Sequence, residues 1–172
     1  SYIMKVSRYG NLLHMYYGSR IPDEDLDYLL TFHDRGFSPN PNEAGNDRTF
    51  SLDFLPQEFS GGRSGDYRSP SLELVWGEGG SAFCGKVAGY EIKAGAGRIS
   101  GMPGLRELPQ EQVHTLEIRL AVPVSRVEAV LSYTVFVGKN VIDSTVRLVN
   151  RGGKAVRLGM MESATIDVKE AG

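Results

Sequence analysis

Residues 115–137, TLEIRLAVPVSRVEAVLSYTVFV, decide the fold class. Leu116, Ile118 and Leu120 alternate with polar residues, which is the period of a strand with one buried face. The run from Val127 to Val137 is longer and more apolar, as expected of a central strand. The stretch therefore predicts β structure, and the sequence on both sides continues the pattern.

Further short strands are predicted outward from this stretch. Towards the C terminus, residues 145–149 and 155–158 flank the turn sequence NRGGK, which predicts a hairpin, and residues 163–169 predict a last strand. Towards the N terminus, alternation bounded by turn residues such as Gly10 and Asn11 predicts strands at 2–9, 12–18, 72–76 and 86–93.

One segment predicts a helix, namely residues 22–30, PDEDLDYLL, in which three leucines form an apolar stripe at i, i+3 and i+4. Asp23, Glu24 and Asp25 would meet the positive end of its dipole, so they are interpreted as helix-capping residues rather than metal ligands. Many short strands with one helix predict a mainly β chain. The expected fold is an antiparallel β-sandwich with one or two short helices, forming a single domain over residues 1–172.

The composition narrows the class of protein. The 172 residues carry a net charge of −2, which argues against nucleic-acid binding, and include 21 glycines, which fit many tight turns. No apolar run approaches the roughly 20 residues of a membrane span. Cys84 is the only cysteine, so no disulfide can form within the chain. With an N terminus unlike a secretory signal, these features favour a cytoplasmic protein, although a mature secreted chain could share them.

The candidate functional residues are concentrated between Arg48 and Leu74, RTFSLDFLPQEFSGGRSGDYRSPSLEL. Both ends predict strands, so the middle is expected to be a loop held by sheet on both sides, a common setting for binding residues. Its polar residues that could take part in binding or catalysis are Asp53, Gln57, Glu58, Asp66 and Arg68. The nearby aromatic residues, which could stack on sugars or pack in the core, are Phe54, Phe59, Tyr67 and Trp76.

Several kinds of site are disfavoured by spacing. The three histidines are scattered and no G-x-S-x-G elbow occurs, so a Ser-His-Asp site is not expected, and His14 is interpreted as a partly buried strand residue. Ligand patterns for zinc or calcium are absent, and no helix is predicted after the glycine-rich residues 95–101. No metal or other cofactor is therefore expected.

Paired carboxylates are a further catalytic possibility, because glycoside hydrolysis needs two of them about 5–10 Å apart. Asp53, Glu58 and Asp66 could converge, but solvated loop carboxylates are the usual outcome, and no catalytic residue is assigned. Arg68, close to Asp66, could instead form a structural ion pair that ties the loop together.

The chain carries LLHMYYG at residues 12–18, FSLD at 50–53, LPQE at 55–58 and GDYR at 65–68. In these and further segments it resembles the N-terminal β-sandwich domain of bacterial family 36 glycoside hydrolases, the α-galactosidases that cleave melibiose- and raffinose-type sugars. The pairing of LPQE (residues 55–58) with GDYR (residues 65–68) is its most specific part. The resemblance covers nearly the whole chain in order. Its further segments are GMP (101–103), TLEI (115–118), LSYT (131–134) and NVI (140–142).

The resemblance implies a supersandwich domain of the galactose-mutarotase-like type that precedes a catalytic (β/α)₈ barrel. In that family the nucleophile is an aspartate of a Lys-Trp-Asp motif in the barrel, and this motif does not occur here. The chain is therefore expected to be a non-catalytic part of a longer retaining α-galactosidase. The implied partners are its own barrel, neighbouring subunits of a homo-oligomer (a tetramer) and, through the full-length enzyme, a galactoside.

The resemblance also implies the residues that face the substrate. The loop that carries LPQE and GDYR reaches toward an active site of a neighbouring subunit, where an acid matching Asp53 contacts sugar hydroxyls and an arginine matching Arg68 supports the loop. Asp66 and Tyr67 complete the expected substrate-binding set. Two other interpretations stay open: a free-standing carbohydrate-binding β-sandwich, and a purely structural one that is similar only in fold.

Overall fold

The computed structural model describes residues 1–34, 40–62, 65–77, 79, 83–97, 101, 109–122 and 125–164. Within these ranges the strands are β1 (Tyr2–Val6), β2 (Leu12–Tyr17), β3 (Leu72–Val75), β4 (Lys86–Ala94), β5 (Val113–Val122), β6 (Val127–Phe136), β7 (Ile142–Asn150) and β8 (Arg157–Met161). The helices of the described part are short 3-10 turns at Asp27–Leu29, Asn42–Ala44 and Gln110–Gln112. Strands β1 and β2, β3 and β8, β5 and β6, and β6 and β7 pair antiparallel, which confirms the mainly β, antiparallel class.

The chain divides into two compact units, Ser1–Lys86 with Gly153–Gly172, and Val87–Gly152. The first unit contains the hairpin of β1 and β2 and the pair of β3 with β8. The second contains the four-stranded sheet in the order β4-β5-β6-β7. A single domain over residues 1–172 stays a prediction.

The hairpin predicted between residues 145–149 and 155–158 is wrong in its pairing. β7 pairs with β6, whereas β8 pairs with β3, with Leu74 opposite Leu158. The turn residues 150–154 mark where a strand ends, but pairing is decided by the faces that the fold can bury. The strand predicted at 163–169 lies outside the described residues from position 165 onward.

The helix predicted at residues 22–30 is not formed, because only Asp27–Leu29 make a single 3-10 turn. The helix-capping interpretation of the acidic cluster is therefore wrong as well, and Asp25 Oδ1 instead accepts the backbone N–H of Asp27 at 3.1 Å. Leu26 and Leu30 are buried while Tyr28 is exposed, so this turn already buries two leucines of the apolar stripe. A segment this short gains little from helix formation on its own.

The stretch from Arg48 to Leu74 leads into β3, but the strand expected at its start is wrong. Residues 48–55 consist mainly of turns, and the N–H of Leu55 donates to the carbonyl of Ser51 at 3.1 Å. Phe50 and Leu52 alternate as in a strand, yet the turn brings both to one core. That core contains Leu13, Leu30, Ala44, Phe50, Leu52 and Leu55, with Tyr9 and Met15 packed against it.

Candidate functional site

Arg68 connects two distant parts of the loop. Its Nε donates to Asp66 Oδ1 at 3.0 Å, and its backbone N–H donates to the same oxygen at 3.1 Å. One terminal nitrogen of the guanidinium donates to the carbonyls of Leu52 and Leu55, at 2.9 and 3.0 Å. The structural ion pair considered from the sequence is therefore confirmed. Asp66 with Arg68, here termed the Asp66–Arg68 clamp, ties the GDYR segment to the turn at residues 52–55.

The carboxylate of Asp66 lies inside the loop. Its side chain is 0% exposed, and its second oxygen, Oδ2, accepts from Gln57 Nε2 and Ser60 Oγ. Burial of an ionised carboxylate is costly unless donors replace water, and here each oxygen has at least two donors. Asp66 therefore stabilises the loop, and a direct contact between Asp66 and a sugar stays a prediction.

Asp53 lies in the turn that Arg68 holds. Leu52 and Leu55 on either side are 3% and 1% exposed, whereas Asp53 is half-buried. Ser51 Oγ donates to Asp53 Oδ1. Phe54 is exposed, with its ring centroid 5.0 Å from that of His33. Because Arg68 binds the carbonyls on both sides of Asp53, the position of that carboxylate depends on the clamp.

Tyr67 lies between the two residues of the clamp, yet its side chain is 79% exposed. Asp66 and Arg68, its neighbours in sequence, are bonded to each other, and the ring of Tyr67 faces solvent. Gly62, which precedes Asp66 in the loop, has φ +66°, and a Cβ there would lie 2.6 Å from Pro70 Cβ. Only glycine fits that backbone position without strain.

The LPQE segment is fastened to β2. The N–H of His14 donates to the carbonyl of Pro56 at 2.9 Å, and the N–H of Glu58 donates to the carbonyl of Leu12 at 3.0 Å. The side chain of Glu58 is buried and accepts from His14 Nδ1 at 2.8 Å and from Tyr2 Oη. Burial, and then the contact with Glu58, raise the pKa of Tyr2 above its ordinary value. His14 is a buried strand residue, as the sequence predicted.

Three residues that hydrogen-bond to the acids of this site were not predicted from the sequence. Tyr2 is 56 positions from Glu58, and no local pattern links them. Ser51 and Ser60 bind the two aspartates through hydroxyls, and the S-x-D spacing of Ser51 with Asp53 was an available signal.

Two findings concern the described part of the chain as a whole. It contains no group of three or more His, Cys, Asp or Glu side chains that could hold a metal ion. It also contains no helix of the length and apolarity needed to cross a membrane.

The strands and the loop thus form a mainly β structure in which Asp53 lies on a turn held by the buried Asp66 and by Arg68. The family model of the glycosyl hydrolase family 36 N-terminal domain matches residues 10–172, and the chain belongs to this family.

Curated relatives share this domain within much longer proteins. The bifunctional alpha-galactosidase/sucrose kinase AgaSK of Mediterraneibacter gnavus is 39% identical over 167 residues, which are 97% of this chain and 18% of that protein. Alpha-galactosidase AgaA of Geobacillus stearothermophilus is 33% identical over 171 residues, which are 99% of this chain and 23% of that protein. The chain thus spans about a fifth of the length of these relatives.

Solved structures of α-galactosidases also match this chain over only part of their length. The galactosidase domain of AgaSK superposes with a TM-score of 0.88 at 39% identity, over 95% of this chain and 22% of that chain. A variant of AgaA from Geobacillus stearothermophilus in complex with raffinose superposes with a TM-score of 0.87 at 33% identity, over 94% of this chain and 22% of that chain. The mainly β, antiparallel fold predicted from the sequence is therefore the fold of the N-terminal domain of family 36 α-galactosidases.

Proposed function

We propose that this chain is the non-catalytic N-terminal domain of a retaining α-galactosidase that hydrolyses terminal α-galactosides of the melibiose and raffinose type. The observation that carries this proposal is the match of the glycosyl hydrolase family 36 N-terminal domain to residues 10–172. The bonding of Arg68 to the carbonyls of Leu52 and Leu55, which holds the turn that carries Asp53, supports the role of the loop. The raffinose and stachyose complexes of the relative AgaA support the substrate class.

In this proposal Asp53 and Tyr67 contact the sugar, while Asp66 and Arg68 hold them in place. A carboxylate can accept hydrogen bonds from two adjacent hydroxyls of a galactosyl unit. The exposed ring of Tyr67 can cover an apolar sugar face. The loop reaches toward an active site of a neighbouring subunit, and cleavage belongs to a catalytic barrel in a bacterial, cytoplasmic enzyme.

Assembly of the enzyme is the second role that we propose for the domain. Strand β4 is an edge of its sheet, and Tyr90 and Ile92 are 71% and 68% exposed on it. They are two positions apart, so they share one face of the strand. Exposed aromatic and aliphatic side chains at such an edge fit a subunit interface of a homo-oligomer. Sedimentation velocity of the longer enzyme should show smaller assemblies after Tyr90→Ser and Ile92→Ser, and an unchanged assembly would refute this role.

Asp53→Ala in the longer enzyme tests the substrate role. A hydrogen bond to a charged group contributes about 1.5–3 kcal/mol, so kcat/KM for raffinose should fall about 10- to 100-fold. Glu111→Ala, which removes an exposed acid of the second unit away from β4, is the control and should leave kcat/KM unchanged. An unchanged kcat/KM for Asp53→Ala would refute the proposal. Galactose binding by the 172-residue chain alone, lost on Asp53→Ala, would instead favour a free-standing carbohydrate-binding module.

A further inference from the structure

Glu58 is a buried acid that the proposed sugar contacts do not use. Its side chain is 2% exposed, Oε2 lies 2.8 Å from His14 Nδ1, and Oε1 accepts the hydroxyl of Tyr2. The rings of Tyr2 and His14 are in edge-to-face contact, with their centroids 5.0 Å apart. Each carboxylate oxygen thus has a donor from a different strand, β1 or β2.

The backbone around Glu58 behaves as a short extra strand beside β2. Leu13 and Gln57 form an antiparallel bridge, closed by the backbone hydrogen bonds of His14 with Pro56 and of Glu58 with Leu12. Successive side chains of extended backbone point to opposite faces. Glu58 is therefore turned toward His14, while its neighbour Gln57 is turned toward the clamp.

From Gln57, hydrogen bonds run continuously to the turn that carries Asp53. Gln57 Nε2 donates to Asp66 Oδ2, and Asp66 Oδ1 accepts from Arg68. Arg68 then donates to the carbonyls of Leu52 and Leu55. Hydrogen bonds thereby link residues 56–58, which pair with β2, to the clamp and to the turn.

We propose that Glu58, held by Tyr2 and His14, is a positioning residue for the substrate contact of Asp53. The inference rests on the proposed function, and it goes beyond that function by assigning a role to the buried group beneath the loop. Loss of the carboxylate would remove the acceptor that Glu58 provides to the buried His14 Nδ1 and to the half-buried Tyr2 hydroxyl, so residues 56–58 would shift on β2. A shift of this kind displaces Asp53 through the clamp without removing any group that touches the sugar.

A double-mutant cycle in the longer enzyme separates positioning from general stability. Glu58→Leu should lower kcat/KM for raffinose about tenfold when Asp53 is present, and less than twofold in the Asp53→Ala background, because residues that act through each other are non-additive. Glu58→Gln should restore kcat/KM to within about threefold, since the amide keeps an acceptor for Tyr2 and His14 Nδ1 can accept in its other tautomer. An equal loss of kcat/KM on Glu58→Leu in both backgrounds, or no loss when Asp53 is present, would overturn the inference.

Two further variants keep the cycle decisive. Glu128→Leu breaks the ion pair with Arg151 in the second unit and should have the same small effect in both backgrounds. If Glu58→Leu does not fold, Tyr2→Phe, which removes only one donor, replaces it under the same criterion of non-additivity. A loss for Asp53→Ala with additive Glu58 variants refutes the positioning role alone. No loss for Asp53→Ala refutes both this role and the proposed function.

Discussion

Replacement of Arg68 by alanine should destabilise the first unit strongly, because this one side chain neutralises a fully buried carboxylate. Asp66 is 0% exposed at its side chain, and it would keep Gln57 and Ser60 as donors while losing its counterion. The carbonyls of Leu52 and Leu55 would lose their guanidinium donor at the same time.

The size of the effect follows from the burial of the two partners. Removal of one member of a fully buried ion pair costs about 3–5 kcal/mol. Because Arg68 itself is 28% exposed, water can replace part of what it provides, and we expect a loss of about 2–4 kcal/mol. Arg68→Lys keeps the charge but lacks the planar fork that serves Asp66 and both carbonyls, so it should recover less than half of the loss.

Urea unfolding of the 172-residue chain, followed by the fluorescence of Trp76, measures this difference. Trp76 is the only tryptophan and lies in the first unit, so its signal reports that unit. With a slope of about 2 kcal/mol per M, the midpoint should fall by about 1–2 M. Arg48→Ala is the matched control, since its ion pair with Asp34 is 58% and 61% exposed and should contribute less than about 1 kcal/mol.

Equal midpoints for Arg68→Ala and Arg48→Ala would show that the guanidinium does not hold the loop. The turn at residues 52–55 would then keep its position without Arg68, and Arg68 would not position Asp53.

Two other changes test neighbouring parts of the first unit. Gly61→Ala would place a Cβ 1.5 Å from the carbonyl oxygen of Phe83, whereas nothing lies within 4 Å of a Cβ at Gly77. The urea midpoint of Gly61→Ala should therefore fall well below that of Gly77→Ala. Equal midpoints would contradict the close approach. Tyr2 has a pKa raised by burial and by its bond to Glu58, so the unfolded chain loses this proton near pH 10 while the folded chain keeps it. Stability should therefore fall as the pH rises through 10, and Tyr2→Phe should flatten that slope in urea midpoints taken from pH 8 to 11. A slope unchanged by Tyr2→Phe would count against the buried contact.

The strands could be predicted from the sequence because their alternation is local. Leu116, Ile118 and Leu120 follow the period of two, and β5 and β6 cover the stretch from which the fold class was inferred. The pairing of β8 with β3 could not be predicted in this way, because it joins residues more than 80 positions apart. Phe50 and Leu52 were misleading for a related reason, since a turn and a strand can both send alternate residues into a core.

One contact of the candidate site could be predicted from the sequence, but the burial around it could not. Asp66 next to Arg68 suggested an ion pair, and the structure shows that pair. The burial of Asp66, the bonds of Arg68 to two carbonyls and the enclosure of Glu58 by Tyr2 and His14 depend on contacts between distant residues. Such contacts have no period or motif in a single sequence.

A galactoside-bound crystal structure of the longer enzyme would show whether Asp53, on the turn held by Arg68, contacts the substrate. We expect a carboxylate oxygen of Asp53 within about 2.5–3.0 Å of a sugar hydroxyl, the range of charge-assisted O–H···O bonds, with Arg68 still bound to the carbonyls of Leu52 and Leu55. A galactosyl unit bound at the catalytic centre with Asp53 out of hydrogen-bonding range would contradict this expectation.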